Sequence, residues 1–124
     1  EHPDAKVEAA YRELRRLVLT EEVAPGNIAV LVNGPAARAS FLERSRGTSI
    51  PLTDAETMAL EDVVVDTVRR FKGLERPAIV LIISGDEMDR RELAYVAFSR
   101  ARAYLCVVSS PTEAKWLSEG LSDA

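Results

Sequence analysis

Cysteine is almost absent from the chain. Cys106 stands alone, so no internal disulfide can form, which fits a reducing cytoplasm. Histidine is equally scarce: His2 lies near the terminus without companions at ligand spacing, a poor start for a metal site. No apolar run approaches the roughly 20 residues that a membrane-spanning helix needs, so no membrane partner is expected. There is no repeat and no low-complexity tract, and the first residues lead into a charged helical pattern rather than a signal peptide. Positive charge is in deficit, with 16 Lys and Arg against 20 Asp and Glu and a net charge of -4. Free-standing nucleic-acid modules are usually basic. Any such role here therefore needs a local patch rather than a global field.

The 124 residues are 47% hydrophobic and 29% charged, enough for one domain over residues 1–124 with a real core. Val7, Ala10, Tyr11, Leu14, Leu17 and Val18 recur at helical spacing, which predicts an amphipathic helix over about 4–22, stopped by "APGN". "IAVLV" (28–32), "VVVDTV" (63–68), "AIVLII" (78–83) and "YLCVVSS" (104–110) read as buried strands. Pro35 suits the first turn of a helix running to about Arg46. A weak strand near 49–53, a short helix from "TDAET" capped by Asp54, a helix over 89–102 and a last helix over 111–121 anchored by Trp116 complete the pattern. Continuous apolar strands alternating with helices imply an α/β fold with a mostly parallel sheet covered on both faces. Ligands in such sheets bind beyond the carboxyl ends of the strands.

One connection stands at such an end. Arg69-Arg70-Phe71-Lys72-Gly73-Leu74-Glu75 packs three cations and a carboxylate around a single glycine. Gly73 permits a sharp turn or a close backbone approach. Arg69, Arg70 and Lys72 have the chemistry to meet phosphate oxygens, and Glu75 to accept hydrogen bonds from sugar hydroxyls. On residue chemistry alone, a solvated connection with a Lys72–Glu75 ion pair explains the segment about as well. Further on, Arg100 follows Val96 and Ala97 on what should be an inward helix face, where an arginine needs a carboxylate or phosphate partner.

Together these stretches resemble the UvrD/Rep-like superfamily 1 DNA helicases. "TVRRFKGLERPAIVLI" is similar to their motif V, T-x-H-x-x-K-G-L-E before an apolar strand. "ELAYVAFSRARAYLCVVSS" is similar to motif VI, L-x-Y-V-A-x-T-R-A before a strand. "NIAVLVNGPAARASFLE" (27–43) resembles motif IV more loosely. Arg69 stands where the family usually has His, Ser99 where it has Thr, and Asn33 where motif IV often carries Arg. The stretch from Arg46 to Val63 leaves no room for the large inserted domain of the best-known members.

The resemblance implies the second, C-terminal RecA-like domain of such an enzyme, a three-layer P-loop NTPase-type fold. The G-x-x-x-x-G-K-[ST] phosphate loop and the acidic magnesium motif of the first domain are not in this sequence. The implied partners are therefore an N-terminal RecA-like domain and single-stranded DNA, with ATP and Mg²⁺ as cofactors of the intact ATPase. The chain by itself is expected to be inactive. By the same resemblance Arg100 is the arginine finger and catalytic residue. Lys72, Gly73, Glu75 and Arg100 face the nucleotide, and Thr67, Arg69 and Arg70 face DNA. The alternative is a degenerate helicase-like module with a regulatory or protein-binding role.

Overall fold

The apolar strands assemble into one parallel sheet. The computed structural model describes residues 3–71, 74–83 and 101–109. Among them are helices α1 (Pro3–Arg15) and α2 (Pro35–Arg44) and strands β1 (Ile28–Val32), β2 (Leu52–Thr53), β3 (Val63–Thr67), β4 (Arg76–Ile82) and β5 (Ala101–Val108). The strand order is β2-β3-β1-β4-β5, and every pairing is parallel. β1 is central, with Val30 opposite Val65 on one side and Val80 on the other. Both faces of its five residues are buried, which is why "IAVLV" reads as an unbroken apolar run.

Two apolar cores lie on opposite faces of the sheet. On one, Val7, Ala10, Tyr11, Leu14 and Leu17 of the first helical segment pack with Phe41 of α2 against Val30, Val65 and Val80. The Tyr11 and Phe41 rings meet edge-on at 6.3 Å, and the Arg44 guanidinium lies 4.3 Å from the Tyr11 ring centre. Arg44 also pairs with Glu8, so α1 and α2 are tied at the surface as well as in the core. On the other face Ala29, Leu31, Val64, Ile79 and Leu81 are covered by Val68 and Phe71, and partly by Leu74. The path from β3 to β4 thus places every third residue, 68, 71 and 74, on the sheet.

Most expected elements are present, with three differences. α1 is regular only to Arg15; Arg16–Thr20 forms a wider turn closed by the Glu21 N–H on the Arg16 carbonyl at 3.0 Å. Arg16 there is held by Glu13 and Glu21, and the Tyr104 hydroxyl of β5 donates to Glu13. The "TDAET" segment is a turn, not a helix: Asp54 accepts the Thr57 N–H at 2.7 Å as expected of a cap, but Met58 enters the left-handed region at φ 47° and ends it. β5 begins at Ala101, so Ala101 and Arg102 belong to the strand rather than to the helix expected over 89–102. The rest of that helix, and the helix expected over 111–121 with Trp116, lie outside the described residues.

Gly26 shows how tightly the lower end of the sheet is closed. A β-carbon there would sit 2.1 Å from the Leu60 carbonyl oxygen and 3.2 Å from the Glu61 Cα. Both obstacles are backbone, so the strand entry itself must move. Gly26→Ala is expected to lower stability by roughly 2 kcal/mol, the usual range for overpacking. A urea melt of the variant beside wild type checks it, and an unchanged midpoint contradicts the close approach.

Candidate functional site

The carboxyl ends of β1 and β3 enclose a cavity of about 490 Å³ lined by Asn33, Gly34, Pro35, Thr67, Val68, Arg69 and Arg70. Topology explains its place. The chain leaves β1 toward β2 and β3, then leaves β3 in the other direction, to β4 beyond β1. Divergent exits of this kind open a crevice at the strand ends. Two backbone contacts frame it: the Val68 N–H donates to the Val32 carbonyl at 2.8 Å, and α2 starts at Pro35 with no side-chain cap. The open first turn of α2 adds a small positive field to this rim.

Thr67 organises the loop. Its Oγ1 accepts the Arg70 N–H at 3.2 Å, and its carbonyl accepts the Phe71 N–H at 3.1 Å. Phe71 is fully buried and pins the loop to the sheet. The Thr67 hydroxyl hydrogen is left to donate outward. Arg69 is exposed and has no hydrogen-bond or ion-pair partner among the described residues.

Arg70 lines the same cavity but is engaged. Its Nη2 donates to Glu56 at 3.1 Å, and its Nε lies 3.6 Å from an oxygen of Asp66. Asp66 is wholly buried in β3. Its two oxygens accept the Ala55 N–H at 2.8 Å and the Thr67 N–H at 2.7 Å, and Arg38 of α2 approaches to 3.6 Å. Arg38 also donates to the Val65 carbonyl at 3.3 Å. β2 ends at Thr53, opposite Val64, so the edge of β3 beyond that point is closed by Arg38 and the turn at 54–57. The carboxyl of Asp54 in this turn is held below its usual range, first by the Thr57 N–H and more weakly by the Arg70 and Arg38 charges.

Thr67, Arg69 and Arg70 are thus brought together, as expected of a common surface. Glu75 is exposed and directly precedes β4. Because β3 and β4 both run parallel to β1, Glu75 stands at the opposite end of the sheet from Arg69. Lys72, Gly73, Ser99 and Arg100 lie outside the described residues. Sequence reasoning missed Asp66, Arg38 and Glu56. A single acid inside "VVVDTV" was the available signal, since a buried carboxylate requires partners.

The segment that builds this loop and the strands on either side has known counterparts. Residues 62–108 are similar to the UvrD-like helicase C-terminal domain. The UvrD-like segment runs from the residue before β3 to the end of β5, so it contains the loop, β4 and "SRA" together. It begins after the 27–43 stretch, whose resemblance to motif IV rests on the sequence pattern alone. A search of curated proteins found no match to the chain. The parallel α/β sheet agrees with the RecA-like architecture of a UvrD-like domain. No helix among the described residues is long and apolar enough to cross a membrane.

Proposed function

We propose that the chain is the second motor domain of an ATP-dependent DNA helicase or translocase. The observation that carries this reading is the UvrD-like match over 62–108, whose loop forms one wall of the cavity at the β1 and β3 ends. In this reading the Thr67 hydroxyl and Arg69 hold a backbone phosphate of single-stranded DNA, one by a hydrogen bond and the other by charge. Arg70 lines the same cavity, with its guanidinium held by Glu56 and Asp66. Lys72, Gly73 and Glu75 face the nucleotide, with Glu75 accepting hydrogen bonds from the sugar. The separation of Glu75 from Arg69 along the sheet supports assigning them to different ligands.

Hydrolysis of ATP supplies the energy for movement, and Arg100 is the residue of this chain that meets the transferring phosphoryl group. In this reading the Mg²⁺ ligands belong to an N-terminal RecA-like domain that carries the acidic magnesium motif. Closure of the two domains on nucleotide and their opening afterwards would advance the strand.

The test is an ATPase assay of the chain alone and of a polypeptide joining it to a phosphate-loop domain of the same helicase class. The chain alone should show no turnover, because nothing in its sequence holds the β- and γ-phosphates in line. The joined protein should hydrolyse ATP faster when oligo(dT) is added. Turnover that ignores single-stranded DNA would count against the motor reading.

A further inference from the structure

Charge around the cavity is more nearly balanced than its arginines suggest. Three arginines stand near it: Arg38 and Arg70 converge on Asp66, and Arg69 does not. Glu56, itself strongly exposed, holds the far side of Arg70. Two guanidinium groups therefore face Asp66 and Glu56, and both also act on the nearby Asp54 carboxylate, so the pair carries no surplus positive charge. Asp66 is also fixed from behind by the Ala55 and Thr67 amides, so it cannot swing away to release them.

Accepting the DNA-binding reading of this face, we propose that Asp66 is a positioning residue that withholds Arg38 and Arg70 from the strand. Among the described residues Arg69 is then the one cation of this face free to meet a phosphate. A motor must release each phosphate as readily as it takes it. A face with three free arginines would hold the backbone at several points and oppose movement, whereas a single unpaired cation beside a hydroxyl gives a grip that is easily exchanged. The buried carboxylate also fixes the direction in which Arg70 points, because its Nε and Nη2 are engaged by different acids. Asp66 acts here through its neighbours and touches no ligand.

The measurement is fluorescence anisotropy of labelled oligo(dT) with the 124-residue chain over a range of low to moderate salt. Each released phosphate contact contributes about 0.7 to the slope of log K against log salt for single strands. Arg69→Ala should flatten the slope by about 0.7 relative to wild type. Asp66→Asn should steepen it by up to about 1.4, as two arginines become available, and should tighten binding at low salt. Glu56→Gln should steepen it by up to about 0.7. Glu61→Gln, the same charge change at the other end of β3, should leave it alone. A general loss of packing does not steepen a salt slope, so the readout separates positioning from structure.

If Arg69→Ala flattens the slope while Asp66→Asn and Glu56→Gln behave like Glu61→Gln, the positioning role is wrong and the DNA face stands. If Arg69→Ala changes nothing, or no form binds even at the lowest salt, the DNA face fails and the inference falls with it. Should Asp66→Asn not melt cooperatively, Arg38→Ala decides: an unchanged slope fits an arginine withheld from the strand, and a slope flatter by about 0.7 overturns the inference.

Discussion

Arg100→Ala, in a polypeptide that carries this chain with its phosphate-loop domain, is expected to cut DNA-stimulated ATP turnover by about 10³-fold or more. That is a loss of about 4 kcal/mol of transition-state stabilisation. Two features of the sequence lead there. Arg100 is the arginine of "SRA", and its spacing from Val96 and Ala97 in the sequence is that of one inward helix face, on which its charge would need a specific acceptor. A guanidinium that meets charge developing on the phosphoryl group acts on kcat, so nucleotide affinity should change far less. Arg100→Lys should rescue poorly, since a point charge does not reproduce a planar two-pronged contact. Turnover must be measured per folded molecule, with the melting temperature recorded beside it. Normal turnover in a stable Arg100→Ala protein removes the finger assignment.

The second large effect concerns stability and lies at the other end of the sheet. Arg76 opens β4, yet it is 4% exposed. Its Nη1 donates to the Asp62 carbonyl at 2.8 Å and is shared with the Pro25 and Ile28 carbonyls at 3.4 Å. Its Nη2 reaches the Ala59 carbonyl at 3.5 Å and the Met58 sulfur at 3.7 Å. One side chain thus satisfies backbone acceptors from the entries to β1 and β3 together. Burial pulls its pKa below the ordinary arginine value, offset in part by the Asp62 charge.

Arg76→Ala removes these donors and opens a cavity, so about 3–5 kcal/mol should be lost, or roughly 12–19 °C in melting temperature for a domain of this size. Arg76→Met keeps most of the volume and should lose about half as much. An Arg76→Met variant that melts with wild type would show that the carbonyls find water instead.

These arginines show what a sequence reader can and cannot see. Arg69, Arg70 and Arg76 lie within eight residues and look alike as letters. The fold makes the first exposed and unpartnered among the described residues, the second a member of an ion-pair network, and the third a buried staple. What separates them is the company brought from Pro25, Glu56 and Asp62, which no local pattern encodes. β1, β3 and β4 were legible because a strand covered on both faces must be apolar throughout, and that constraint is written in consecutive residues. The turn at 54–57 was misread as a helix for the opposite reason. Asp54 supplies a cap signal, but the segment serves to present the Ala55 N–H to Asp66, a contact decided by tertiary packing. Of the candidate site, Thr67 and Arg69 were visible through their spacing to "KGLE". Asp66 was hidden because its partners come from α2 and from the turn.

The central place of β1 bears on how the chain is born. β1 leaves the ribosome before both of the strands that flank it. Val64 and Ala78, which flank it in the finished sheet, are synthesised much later. Until then both of its hydrogen-bonding edges are open, and such edges invite pairing with another chain. In the interval α1 and α2 can shield one of its faces. Assembly dominated by such distant pairings is slow. Nascent chains stalled between α2 and β3 should therefore be the species most prone to aggregate during synthesis.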